Sequence, residues 1–74
     1  MRLQEVPQRL YDSEINFSIS CFWDDYFDVK LGDALNGYHA EAKVRTYAMA
    51  LAWLDEQARR HFPDSLYASE PVLA

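Results

Sequence analysis

Cys21, His39, His61 and the adjacent acids Asp24 and Asp25 are the side chains of this 74-residue sequence whose types suit chemistry. A thiol beside an imidazole makes a nucleophile–base pair, and Cys, His and carboxylates at short spacings make a zinc site. Two acids among rings, as in "CFWDDYF" (21–27), suit a carbohydrate or a cation. None of the spacings matches a zinc site. Cys21 and His39 fall on opposite faces of the sheet derived below, so they form no dyad. Cys21 reads as an inert buried thiol and His39 as a surface residue. With only Gly32 and Gly37 there is no glycine-rich phosphate cradle. Asp24 and Asp25 read as turn formers at a hairpin tip. No catalytic residue, metal or cofactor is assigned, and the chain reads as a non-enzyme.

The elements that position these groups begin with the stretch "EINFSISCFW". Ile15, Phe17, Ile19, Cys21 and Trp23 alternate there with Glu14, Asn16, Ser18 and Ser20. Period two with β-favouring residues on one side predicts a half-buried strand. Phe27, Val29 and Leu31 alternate with Asp28 and Lys30 in a second strand. Tyr38, Ala40, Ala42 and Val44 alternate with His39, Glu41 and Lys43 in a third. One apolar and one polar face per strand predicts an antiparallel sheet covered on a single side.

Residues directly opposite each other share a face, which restricts the registers. Asn36-Gly37 predicts a two-residue turn with both residues at positive φ, placing Leu35 opposite Tyr38, Leu31 opposite Ala42 and Val29 opposite Val44. That register also sets Lys30 against Lys43 and Asp28 against Arg45. Gly32 marks a kink or bulge. A two-residue Asp24-Asp25 loop mixes the faces of the first hairpin. A three-residue loop (24–26) keeps them, pairing Trp23 with Phe27, and so does a five-residue loop (22–26).

Thr46 is the predicted N-cap of a helix over 47–62, which contains neither Gly nor Pro and ends with Arg59, Arg60 and His61 before Pro63. Tyr47, Leu51, Leu54, Ala58 and Phe62 form its apolar stripe, and Glu56–Arg60 an i,i+4 pair. Residues 1–13 show no sustained period; Pro7 disfavours a central strand there, and the segment is read as an arm. Residues 64–74 read as an irregular tail, with Leu66, Tyr67, Val72 and Leu73 available to fold back. The expected architecture is a single α+β domain over residues 1–74. It comprises a three-stranded antiparallel β-meander followed by one long C-terminal α-helix packed on one face.

Half the residues are hydrophobic and 15% are aromatic, too many for a disordered chain. A net charge of −5 without basic clusters argues against nonspecific nucleic-acid binding and against an anionic membrane surface. A lone cysteine excludes an internal disulfide framework and fits a reducing compartment. No signal peptide or membrane span is evident, so the expected location is cytoplasmic.

Two apolar pairs stay outside the face-consistent core: Phe22 with Tyr26, and Met49 with Trp53 on the far flank of the helix. Such rings are either covered by the chain ends or form a protein–protein interface, where aromatic residues dominate. These four residues are the candidate contacts. The expected function is that of a small acidic interaction or regulatory protein whose partner is another protein or a second copy of the chain. Two rivals are an acidic decoy of a phage-derived kind in the basic groove of a nucleic-acid-binding partner, and an enzyme or ligand binder at the Asp24/Asp25 tip.

Gly37, Tyr38, Ala40, Thr46, Ala50 and Leu51, within "GYHAEA…T..MAL", resemble the HicB-like antitoxin pattern of a Gly-Tyr-x-Ala strand followed by a Thr-led helix with an Ala-Leu pair. The resemblance covers about a third of the chain and implies an antitoxin-type fold. The family's proline- and glycine-bearing segment between strands and a DNA-binding element are both missing. A double-stranded-RNA-binding domain shares the strands-then-helix order but needs a preceding helix and a basic helix start, neither of which is predicted here.

Overall fold

Val29 and Leu31 expose no surface, and the strand that carries them is the middle of the sheet. In the computed structural model, which describes residues 1–69, β2 (Tyr26–Asp33) lies between β1 (Phe17–Phe22) and β3 (Gly37–Val44), antiparallel to both. The α+β class and the meander are as expected. Phe17, Ile19 and Cys21 of β1, Phe27, Val29 and Leu31 of β2, and Ala40, Ala42 and Val44 of β3 share the face toward the helices.

The helical part is larger than one C-terminal helix. The expected arm forms a 3-10 turn (Leu3–Glu5) and α1 (Val6–Asp12), and α2 (Tyr47–His61) is followed by a short α3 (Leu66–Ser69). Pro7 sits in the first turn of α1, where its missing N–H costs nothing; it starts a helix rather than breaking a strand. Val6 and Leu10, one turn apart, are fully buried. Glu14, at φ 59°, ends the segment in the left-handed region while the Ile15 N–H donates to the Leu10 carbonyl at 3.0 Å. A helix therefore does precede the strands, in the order of a double-stranded-RNA-binding domain. The basic start to the later helix is still missing, since α2 opens Tyr47-Ala48-Met49-Ala50.

α2 lies against β2 and β3, while the 3-10 turn, α1 and α3 pack against α2. Its cap is as predicted: Thr46 Oγ1 accepts from the Met49 N–H at 3.1 Å. Leu51, Leu54 and Ala58 of the predicted stripe are buried, joined by Ala50 and Asp55, whereas Tyr47 at the stripe's start is half-exposed. The tail is anchored rather than irregular over 66–69: Tyr67 is fully buried, and its hydroxyl donates to Asp55 Oδ1 at 2.7 Å. Val72 and Leu73 lie outside the described residues.

Both hairpins keep face parity, the first in one of the two registers left open and the second in a register other than the expected one. β1 and β2 pair Ile19 with Val29, Cys21 with Phe27 and Phe22 with Tyr26. This is the register of the five-residue alternative, extended by one pair, so the loop is Trp23-Asp24-Asp25 and Trp23 leaves the core face. In the second hairpin Leu31 pairs with Ala40, Val29 with Ala42 and Phe27 with Val44, two residues away from the Asn36-Gly37 register. Asp33 decides this. Its Oδ1 accepts from the Leu35 and Asn36 N–H groups at 2.9 and 2.8 Å, organising a loop of Ala34-Leu35-Asn36 with Gly37 alone at positive φ, 94°. The predicted irregularity at Gly32 is present as a bulge between Leu31 and Gly32.

Candidate functional site

The end of the sheet that carries the first hairpin gathers most of the unsheltered rings. Phe22 and Tyr26 close the ladder as a cross-strand pair on the face away from the helices, with centroids 4.9 Å apart and planes tilted by 32°. Lys43 Nζ sits 5.0 Å from the Tyr26 ring centroid, a cation–π contact that holds that ring from the neighbouring strand. Between the two rings the chain turns sharply, the Asp25 N–H donating to the Phe22 carbonyl at 2.8 Å. Trp23 projects from this tip with 90% of its surface exposed, beside exposed Asp24 and Asp25. On the helix side of the same end, Tyr47 lies 6.0 Å from Phe27, and half-exposed Met49 follows in the first turn of α2.

Of the four candidate contacts, the structure brings Phe22 and Tyr26 together, while Met49 and Trp53, one turn apart on α2, differ in exposure. Met49 is 51% exposed, whereas Trp53, one turn further, is partly buried against the core. Trp23 is the residue that the sequence left undecided: of the two face-consistent loops, the three-residue one takes it into the core and the five-residue one, whose register is observed, frees it.

The remaining surface of this sheet face is balanced in charge. Asp28 stands opposite Lys43 and Lys30 opposite Glu41, so the Lys30–Lys43 conflict of the predicted register does not arise. Lys30 Nζ lies 3.9 Å from Asp28 Oδ2 and 5.1 Å from the Tyr38 ring. Asp28, Lys30, Glu41, Ala42 and Lys43 line a shallow depression.

The bulge exchanges the expected faces of Tyr38 and His39. Tyr38 lies beside Lys30 on the uncovered face, while His39 turns to the helices, 4.9 Å from the Phe62 ring and 5.6 Å from His61. Cys21 is exposed rather than buried, since it lies near the hairpin end of an edge strand whose last three residues are all exposed. It pairs with Phe27 at one end of β2, whereas His39 lies beside the bulge at the other, so no dyad forms. Among the described residues no group of three or more His, Cys, Asp or Glu is arranged to hold a metal ion, and no helix is long and apolar enough to cross a membrane.

Two partly exposed carboxylates have structural work. Asp33, which also accepts from Asn16 Nδ2 at 2.6 Å, is held below the usual carboxylate range chiefly by the Asn36 N–H and then by the Asn36 side chain. Glu5 is lowered in the same way by the Arg2 N–H. Comparison with family models, with curated proteins and with solved structures finds no match.

Proposed function

We propose that this chain is a small acidic protein-interaction or regulatory module of the cytoplasm that presents its first hairpin tip, Trp23 with Asp24 and Asp25 backed by the Phe22–Tyr26 pair, to a protein partner. The supporting observation is the exposure of Trp23. An indole at a tip ordered by its own turn gains nothing from the fold, yet its burial in a partner's cleft contributes roughly 2–3 kcal/mol. The adjoining acids and the net charge of −5 suit a partner whose apolar cleft is rimmed by Lys or Arg. Met49 and Tyr47 extend the same end of the molecule. A free exposed thiol at Cys21 agrees with a reducing compartment.

The acidic-decoy reading asks for a surface of one sign, and the alternation of Asp28, Lys30, Glu41 and Lys43 gives it little support. Catalysis at Asp24 and Asp25 asks for a concave setting, whereas both are exposed beside a projecting indole. The residues of the HicB-like pattern occupy a strand and a helix cap, Gly37–Ala40 in β3 and Thr46 before α2, and speak to fold rather than activity.

Quantitative capture with three baits tests the proposal: wild type, Trp23→Ala, and the double variant Asp24→Lys/Asp25→Lys. A partner held by wild type and lost from both variants, with their thermal stability unchanged, is the expected result. Equal capture by all three baits contradicts it.

A further inference from the structure

We propose that the free edge of β1 pairs antiparallel with β1 of a second copy of this chain, centred on Ile19, joining two three-stranded sheets into one.

The two edges of the sheet are built differently. β3 enters through a bulge and carries Glu41 and Lys43, devices that discourage pairing with another strand. β1 reads Phe-Ser-Ile-Ser-Cys-Phe, with no charge, proline, glycine or bulge against β2. Its edge is unprotected.

The backbone phase of that edge follows from one bond. The Asn16 carbonyl accepts from the Gly32 N–H at 2.7 Å, just beyond the ladder, so residue 16 and, by alternation, 18, 20 and 22 direct their polar groups toward β2. Phe17, Ile19 and Cys21 therefore direct their N–H and C=O groups away from the sheet. Among the described residues no turn or loop bonds them. The same three side chains lie on the helix-facing side, where Val29 and Leu31 next door are fully buried while Phe17 and Ile19 are only half-buried and Cys21 is exposed.

A second copy meets all of these conditions at once. About a two-fold axis at Ile19, Ile19 faces Ile19, Phe17 faces Cys21 and Ser18 faces Ser20. Apolar side chains meet on one face, hydroxyls on the other, and the outward-facing residues pair with each other. Shifting the centre to Ser20 leaves Phe17 without a partner inside the strand, and centring between Ile19 and Ser20 mixes the faces. No like charges oppose each other along the seam despite the acidity of each copy. The two Cys21 residues stand four positions apart along the seam, about 13 Å, so the joint contains no disulfide. Trp23 stays free in each copy, and the dimer carries its two tips at opposite ends of the joined sheet.

Sedimentation equilibrium on the full chain tests this. Wild type is expected at twice the 8.6 kDa of one chain, with or without reductant. Cys21→Pro removes one outward N–H and no bond to β2, so it is expected at 8.6 kDa with an unchanged circular dichroism spectrum. Trp23→Ala is expected to remain dimeric. Amide exchange on wild type gives a readout that needs no variant: the Ile19 N–H is protected in the dimer. A monomeric wild type, a folded Cys21→Pro that stays dimeric, a dimer that Trp23→Ala dissociates, or an unprotected Ile19 N–H would each overturn the proposal. The dissociating Trp23→Ala would move the self-contact to the hairpin tip.

Discussion

Tyr67 brings a hydroxyl into the interior and relies on two residues of α2 to satisfy it. Its oxygen donates to Asp55 Oδ1 at 2.7 Å, the Arg59 Nε donates to the same oxygen at 3.0 Å, and the guanidinium lies 5.3 Å from the phenol ring. Arg59 also reaches the Ala68 carbonyl at 3.3 Å, tying α3 to α2 by a second route. Burial, reinforced by the hydrogen bond to Asp55, raises the phenol above its ordinary value of 10.0. The folded state therefore holds this proton more tightly than the unfolded chain. The contribution is complete below about pH 10 and is lost as pH rises beyond it. Urea titrations should show wild-type stability falling at alkaline pH, and Tyr67→Phe should flatten that fall while costing about 1–2 kcal/mol at neutral pH. An unaltered alkaline profile in Tyr67→Phe would show that another group governs it. The sequence did hold a signal for this site: position 55 lies beside the Leu51–Leu54–Ala58 stripe, and an acid there needs a partner. Arg59 at i+4 was visible, but Tyr67, in a segment without periodicity, was not.

At the scale of elements, the alternation of β2, the bulge at Gly32 and the Thr46 cap were legible because each rests on a local rule. The hairpin registers were not, because parity admits any shift of two residues. In the second hairpin the Asn36-Gly37 turn signal lost to Asp33, whose carboxylate collects the turn's N–H groups. The charges held the better clue: the true register puts Lys30 opposite Glu41 and Asp28 opposite Lys43. α1 was missed because seven residues give too few turns for a helical period, and Pro7 counts against a strand as readily as it opens a helix. The bulge makes a ranking prediction. A Cβ at Gly32, at φ 108°, would stand 2.5 Å from the Gly37 carbonyl oxygen, whereas Gly37 at φ 94° has open space. Gly32→Ala should cost about 1–3 kcal/mol for backbone strain and more for the clash, and Gly37→Ala only the strain. Equal losses in thermal unfolding would mean that the close approach of β3 at Gly32 does not matter.

For the whole molecule, the described segments before and after the meander complete its core. α1 and α3 pack around α2 and supply Val6, Leu10 and Tyr67 to the core; Trp53 is partly buried against that core, while Met49 of the same pair stays half-exposed. Among the described residues nothing covers Trp23 at the first hairpin, which stays 90% exposed. The opposite end of the sheet is occupied by His39, His61 and Phe62, packed on one another, and by the Asp33 turn. The rings at the first hairpin stay outward, where a partner would find them. The most direct measurement is acrylamide quenching of the two tryptophans taken singly, with Trp53→Phe isolating Trp23 and Trp23→Phe isolating Trp53. The expected result is red-shifted, fully quenchable emission from Trp23 and blue-shifted, partly protected emission from Trp53. A protected Trp23 in the free protein would contradict the assignment of the hairpin tip as the binding surface.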